Sequence, residues 1–186
     1  MKKNKTAFDT RFWAGFTAEN PFKVLDAFFD FADLDDYKQQ LNEALRYSGS
    51  SKVYEQDNPA SVFVFYTVVS SFLKACYCLR EKSKKWKVKA SLPSETVSQL
   101  SSLTKEEYEN PFSVFQKAFN EKTPEEFEFF LREIVRLSLS PQAEDADTDL
   151  TIYYIHVIKM LDAAELMRER GVEKSRKRNQ MAPVTA

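Results

Sequence analysis

The chain has 186 residues, of which 27 are Lys or Arg, 28 are Asp or Glu, 43% are hydrophobic and 14% are aromatic. A chain of this length and apolar content buries a full hydrophobic core without disulfides or metal ions, which excludes an intrinsically disordered protein. Three glycines are too few for a turn-rich β-sandwich, a β-barrel or a nucleotide-binding α/β fold. One histidine and the lack of a phosphate-binding loop leave few options for catalysis.

The N-terminal segment is basic but has neither an apolar stretch nor a cleavage site, which argues against a signal peptide. The most apolar stretch, residues 62–79, contains Ser70 and Lys74, and we interpret it as a buried helix and not as a membrane span. Cys76 and Cys78 point to nearly opposite faces of such a helix, so they neither pair nor chelate a metal together. These features predict a cytoplasmic protein with free thiols that does not bind membranes.

The first helix of each half of the chain begins at an Asn-Pro pair, at Asn20 and at Asn110. An Asn side chain caps the first N–H groups of a helix, and a Pro at the first helical position loses no hydrogen bond. The second helices are expected to begin at Asp33 and at Thr123, where Glu126 completes a capping box. Apolar residues then recur at the three- and four-residue spacing of amphipathic helices.

The third segment of the first half, residues 62–69, is rich in β-branched and aromatic residues and by itself also fits a buried strand. Its counterpart in the second half keeps helical spacing, and polar residues such as Asp162 interrupt any strand alternation. We therefore predict a third helix in each half, with caps near Asn58 in the first and at Asp147 or Asp149 in the second.

These paired helices reflect an internal repeat. Residues 19–46 match residues 109–136 without a gap, with nine of 28 positions identical. Residues 65–82 match residues 153–170 after a change in loop length, with six identical positions. Such self-similarity predicts two copies of one structural unit. Matched apolar positions are expected to be buried in both copies, namely Phe22/Phe112, Leu41/Leu131 and Leu73/Leu161.

The segment between the two copies shows three local patterns. Lys85, Lys87 and Lys89 alternate with apolar residues, which predicts a short extended piece. A short helix is expected near residues 95–102, and Thr104 opens another capping-box pattern.

The predicted fold is all-α, a tandem duplication of a three-helix unit packed as one six-helix domain over residues 1–171. The repeat units are residues 19–82 and 109–170, and residues 83–108 form the bridge between them. A single unit this rich in Phe has more apolar surface than it can bury alone, which favours packing of the two copies together. Residues 172–186 are expected to form a flexible charged tail.

The sequence predicts no catalytic residue, no cofactor and no metal site. Asp145, Asp147 and Asp149 copy the first half of an EF-hand loop, but Leu150 and His156 stand where that loop requires Gly and Glu. The histidine has no Asp, Cys or second His at ligand spacing, which favours a packing role. The remaining acidic groups mostly lie in the first turns of the second helices, where they complement the helix dipole.

The cations are concentrated in two segments, residues 82–89 and 168–178, which together carry a formal charge of +9. The whole chain carries −1, so the rest of it carries −10. Cations at helix C-termini and a solubilising tail explain this pattern, but so does phosphate binding. A Trp in such a run either stacks on a base or anchors the segment to the core. The candidate nucleic-acid contacts are Lys82, Lys84, Lys85, Trp86, Lys87, Lys89, Arg176, Lys177 and Arg178.

Two phenylalanines stand where the other copy has a polar residue, Phe31 opposite Glu121 and Phe129 opposite Gln39. Either one covers the other within the monomer, or an exposed one forms the centre of a symmetric dimer. We expect intramolecular cover for Phe129 and a dimer contact for Phe31.

The leading functional hypothesis is a non-enzymatic cytoplasmic interaction or adaptor protein that presents a helical surface to a protein partner or to itself. The alternative is a nucleic-acid-associated accessory factor that uses the two basic segments. A third hypothesis is an enzyme or small-molecule binder with a pocket between the repeats.

Overall fold

A computed structural model describes residues 20–50, 53–54, 60–90, 102–140 and 149–175. The described residues form seven α-helices, one 3₁₀ turn and a two-stranded ribbon, so the mostly helical class is confirmed. In chain order the elements are α1 (Pro21–Phe31), α2 (Leu34–Ser48), α3 (Ala60–Leu79), β1 (Trp86–Val88), α4 (Lys105–Glu109), α5 (Phe112–Glu121), α6 (Pro124–Ser138), α7 (Thr151–Arg170) and β2 (Val172–Lys174).

Both α1 and α2 begin at the predicted caps. The Asn20 side chain accepts a hydrogen bond from the N–H two residues on, at 3.1 Å. The Asp33 side chain accepts one from the N–H three residues on, at 2.9 Å. Tyr37 then joins the two helices, because its hydroxyl donates to the Phe28 carbonyl at 2.7 Å and its ring stacks on the Phe28 ring.

The segment that by itself fits a strand is helical throughout, as the second copy predicts. The buried side of α3 includes Phe72, Cys76 and Leu79, which have no exposed surface. Within the described residues, Ser61–Lys84 is the one segment long and apolar enough to cross a membrane, with a mean hydropathy of 1.7. Half of that window is buried against the rest of the bundle, and α3 packs on α1, α5 and α6.

The predicted cap at Asn110 is wrong. The Thr104–Glu107 capping box starts α4, and this short helix runs up to Asn110, whose N–H donates to the Glu106 carbonyl at 2.9 Å. Asn110 is thus the C-terminal cap of α4, and its carbonyl instead accepts from the Ser113 N–H at 3.0 Å. No side chain caps α5, which begins at Phe112.

The second copy otherwise follows the predicted pattern. Thr123 and Glu126 form a complete capping box, with a Pro at the first turn of α6. The rings of Phe119 and Phe127 meet edge to face at 5.3 Å, and the matched pair in the first copy, Phe29 and Tyr37, meets in the same way at 6.3 Å.

The two segments that match in sequence, called here the first and second copy, pack against each other. In the first copy α1 packs on α3, and in the second α5 packs on α7. Across the copies α2 packs on α6 and α7, α3 packs on α5 and α6, and α1 packs on α7. Each of these contacts has its counterpart when the two copies are exchanged. The second and third helices of each copy therefore bury surface against the other copy.

The matched apolar positions are buried with one exception. Phe112, Leu41, Leu131, Leu73 and Leu161 all lie in the core. Phe22 is only half-buried, because its ring lies at the edge of the bundle against Trp86.

Several predictions fall on residues outside the described ranges. These are the short helix near residues 95–102, apart from its last residue, and the caps at Asn58 and Asp147.

Candidate polyanion-binding ribbon

The structure brings the two basic segments together. Strand β1, from the first segment, pairs in antiparallel fashion with β2, from the second, so that Lys87 lies opposite Glu173. Further bonds extend the ladder at both ends, from the Lys89 N–H to the Gly171 carbonyl at 3.0 Å and from the Ser175 N–H to the Lys85 carbonyl at 2.9 Å. The extended piece is confirmed, whereas the prediction of a flexible tail from residue 172 is wrong for its first residues.

The inner face of the ribbon is apolar. Trp86, Val88 and Val172 are half-buried and pack against the helical core. The Trp86 ring lies 5.1 Å from the Phe22 ring, and the Lys174 ammonium lies 5.7 Å from the Trp86 ring centre. Of the two roles open to this Trp, the structure favours the anchor onto the core over the base-stacking residue.

The outer face of the ribbon is cationic. Lys87 and Lys89 are exposed on this face, and Lys85 is exposed where the ribbon begins. The Lys87 ammonium lies 3.1 Å from the Glu173 carboxylate, the acid that faces it across the ladder. Among the described residues, neither Lys85 nor Lys89 has an ion-pair partner, so their charges are available to an anion.

Three other cations near the ribbon have structural partners. Lys84 lies 3.7 Å from Glu81, while Lys82 is half-buried at the start of the 3₁₀ turn (Lys82–Lys84). Arg168 pairs with Asp30 at 3.0 Å, and the Arg170 guanidinium donates to two backbone carbonyls at 2.8 Å each. The predicted contacts Arg176, Lys177 and Arg178 lie outside the described residues, but the chain enters that segment at the end of β2.

Gly171 makes the ribbon possible. Its backbone has a φ of 73° and a ψ of 159°, a conformation that is essentially restricted to glycine. This residue ends α7 and turns the chain directly into β2, beside the side chain of Lys89. Because the chain reverses at Gly171, the segment that follows α7 runs back alongside the segment that follows α3.

Two candidates for metal binding and acid–base chemistry, His156 and Asp149, make contacts within the described part of the protein. The His156 imidazole lies 3.1 Å from the Glu121 carboxylate, and its side chain is only 12% exposed. The Asp149 carboxylate accepts from the Thr151 N–H at 2.9 Å, and this bond lowers the pKa of Asp149. No cluster of three or more metal-ligating side chains occurs within the described ranges. Of the EF-hand-like triad, Asp145 and Asp147 lie outside them.

Both cysteines are free thiols, as predicted. Burial raises the pKa of Cys76 well above its ordinary value and also raises the pKa of the half-buried Cys78. A thiol that stays protonated at neutral pH is a poor nucleophile and a poor metal ligand.

Sequence reasoning missed two buried acids. Glu107 is 3% exposed, and its carboxylate lies 2.8 Å from the Lys159 ammonium and 3.1 Å from that of Lys117. Asp162 has no exposed surface, pairs with Lys38 at 2.5 Å and accepts from the Ser102 hydroxyl at 2.6 Å. Both acids attach the end of the bridge to α7 from inside the protein. Their partners come from distant parts of the sequence, so no local pattern identifies them.

No family model matches the chain, and neither a curated protein nor a solved structure shows significant similarity to it. A function for this chain therefore has to be inferred from its own residues.

Proposed function

We propose that the chain is a non-enzymatic cytoplasmic interaction protein that presents a helical surface to a protein partner or to a second copy of itself. The observation that carries this proposal is a set of large apolar side chains that the described helices leave 39–62% exposed. Exposed apolar groups that are grouped together are typical of protein interfaces. The set comprises Phe31, Phe63, Val64, Phe129, Ile152 and Ile155.

Four of these side chains lie at the N-terminal ends of the third helices. Phe63 and Val64 are adjacent on α3, and Ile152 and Ile155 are one turn apart on α7. Val64 and Ile152 are matched positions of the repeat. Both third helices thus expose apolar side chains near their N-terminal ends, which supports a role in binding.

Several groups that could support catalysis are engaged within the described part of the protein. The buried carboxylates of Glu107 and Asp162 are paired with lysines, and burial keeps the Cys76 thiol protonated. A general base or nucleophile needs a free reactive atom with an orienting partner. This arrangement supports an interaction protein over an enzyme.

We further propose that the fold arose by tandem duplication of the three-helix unit, giving six principal helices in one domain. The matched caps at Asp33 and Thr123, the equal lengths of α2 and α6, and the exchangeable helix contacts support this proposal. The strands extend the correspondence, since β1 follows the third helix of the first copy and β2 follows that of the second.

Phe31 is the proposed centre of a homodimer, and it is 49% exposed at the end of α1. The prediction that Phe129 is covered within the monomer is wrong, because its side chain is 42% exposed, with the Arg132 guanidinium 5.4 Å from its ring centre. Aromatic side chains at the centre of an interface often dominate its binding energy. Phe31 and Phe129, both exposed aromatic residues, are therefore the two positions to substitute in a test of self-association.

Sedimentation velocity of the wild type, Phe31→Glu and Phe129→Glu at micromolar concentration tests the dimer. We expect a wild-type dimer that Phe31→Glu converts to a monomer and Phe129→Glu leaves intact. A monomeric wild type, or a dimer that Phe31→Glu does not change, contradicts the proposed contact.

A nucleic-acid-associated accessory factor is the second candidate function. It is favoured by a separate observation, the pairing of the two basic segments in one ribbon with a cationic outer face. Clusters of Lys and Arg on one surface are the electrostatic signature of nucleic-acid binding. Binding of a labelled duplex at low salt is its direct test.

A further inference from the structure

We propose that the outer face of the β1–β2 ribbon binds the sugar-phosphate backbone of double-stranded nucleic acid without reading its sequence. This inference rests on the second candidate function. The contacts come from the exposed ammonium groups of Lys85, Lys87 and Lys89, on and beside β1. Lysine contacts to phosphates release counterions and need no particular base.

The spacing of these lysines suits a line of phosphates. Lys87 and Lys89 are two residues apart on the same face of an extended strand, which separates them by about 7 Å. From Lys85 to Lys89 the chain spans at most about 14 Å, and a duplex of that length carries about eight phosphate charges. A duplex backbone lying along the ribbon can therefore meet all three lysines.

The inward orientation of Trp86 favours a duplex over a single strand. Binding of single strands commonly depends on bases stacking on exposed aromatic rings. The Trp86 ring lies against Phe22 on the inner face, so the outer face offers charge without a stacking platform. Because the inner face is packed on the bundle, the ribbon also cannot enter a major groove to contact base edges.

The same geometry favours nucleic acid over a membrane surface. Stable membrane attachment combines cations with apolar side chains that insert among the lipids. The described residues of the outer face are lysines, Glu173, Gly171 and Ser175, and the apolar residues of the ribbon face the bundle. The rest of the chain carries a formal charge of −10 outside the two basic segments, which favours approach through the ribbon.

Glu173 limits the affinity of this face. Its carboxylate neutralises Lys87 at 3.1 Å, which leaves Lys85 and Lys89 as the two unpaired cations of the proposed contact. Each phosphate neutralised contributes about 0.9 to the slope of log K against log salt. Two lysines thus correspond to a slope of about −1.8, and release of Lys87 from Glu173 steepens it by about 0.9.

Fluorescence anisotropy with a labelled mixed-sequence DNA duplex, between about 50 and 200 mM salt, tests these slopes. The affinity of the wild type is expected to fall about tenfold or more over that range, because the slope is about −1.8 or steeper. Glu173→Gln should bind the duplex more tightly and with the steeper slope. The double variant Lys85→Gln/Lys89→Gln should lose most of the affinity and most of its salt dependence. Lys74→Gln, on the exposed side of α3, is the control for loss of a lysine away from the ribbon, and Glu128→Gln, on α6, is the charge-matched control for Glu173→Gln; both should behave as the wild type.

The possible outcomes separate the inference from the function on which it rests. No binding to duplex or single strand at low salt overturns both. Binding that the ribbon variants do not change, or that Lys74→Gln weakens equally, overturns the inference and leaves the second candidate function standing. Tighter binding to the single strand, or equal binding to vesicles containing phosphatidylserine, also overturns the choice of duplex. Circular dichroism of each variant establishes that the fold is intact.

Discussion

Glu107 offers the sharpest test of the forces that hold the bridge to the bundle. Burial by itself would raise the pKa of this carboxyl. Hydrogen bonds from Lys159, from the Thr104 backbone and from Lys117 outweigh burial and lower the pKa to about 2, from an ordinary value of 4.5. The ionised carboxylate is thus stabilised in the folded protein relative to the unfolded chain.

The difference between a pKa of 4.5 and one of about 2 has a direct energetic meaning. At about 1.4 kcal/mol for each pKa unit, it corresponds to about 3 kcal/mol of folding stability at neutral pH. Because the pKa in the folded state is the lower one, this stability is complete above pH 4.5 and is lost as the pH falls towards 2.

We therefore expect Glu107→Gln to lower the free energy of unfolding by about 2–3 kcal/mol at pH 7, since Gln keeps an oxygen for the Thr104 N–H but leaves two lysines unpaired. The deficit should shrink at pH 3, where the wild type has lost part of the same contribution. Urea unfolding followed by circular dichroism at both pH values measures it.

Glu126→Gln is the matched control, because Glu126 occupies the same capping-box position at the start of α6, where its side chain is 44% exposed. Its effect on the free energy of unfolding should be much smaller. A Glu107→Gln deficit that is the same at pH 7 and pH 3, or no larger than that of Glu126→Gln, would refute the reasoning.

Three further outcomes are expected from thermal and chemical unfolding. Asn20→Ala should destabilise the protein by about 1 kcal/mol, whereas Asn110→Ala, at the matched position, should have little effect because its side chain caps no helix. Gly171→Ala should cost about 1–3 kcal/mol because of its positive φ, whereas Gly49→Ala, at a φ of −98°, should be neutral or slightly stabilising. Millimolar Ca²⁺ should leave the melting temperature unchanged, since Asp149 already accepts a hydrogen bond at the start of α7, and a rise of several degrees would restore the metal-site interpretation.

The helices were predictable because their signals are local. Asn20, Asp33 and Thr123 each cap a helix through a side chain that bonds two or three residues ahead, a distance that the sequence displays directly. Asn110 shows the limit of that approach. The neighbouring capping box at Thr104 starts another helix, α4, which ends at Asn110. Asn110 is therefore the C-terminal cap of α4 and does not cap the N-terminus of α5.

The candidate site was predictable only in part. The alternation of lysines with apolar residues indicates an extended segment and correctly places Trp86 and Lys87 on opposite faces. The pairing of β1 with β2 joins residues 86–88 to residues 172–174, and short strands carry no signal that identifies a partner so distant. The buried ion pair of Asp162 with Lys38 was not predictable either, because its two residues are also far apart in the sequence.

Under the proposed duplication, the ribbon joins the two segments that follow the copies. The core repeats closely, with Leu41 matched by Leu131 in the same buried role. At the centre of the ribbon, by contrast, Lys87, which follows the first copy, faces Glu173, which follows the second. A symmetric ribbon with lysine at both positions would place two cations side by side, and like charges directly opposite destabilise a strand pair. Glu173 thus stabilises the ribbon and at the same time neutralises one charge on its outer face. Replacing Glu173 should therefore strengthen duplex binding and weaken the pairing of β1 with β2.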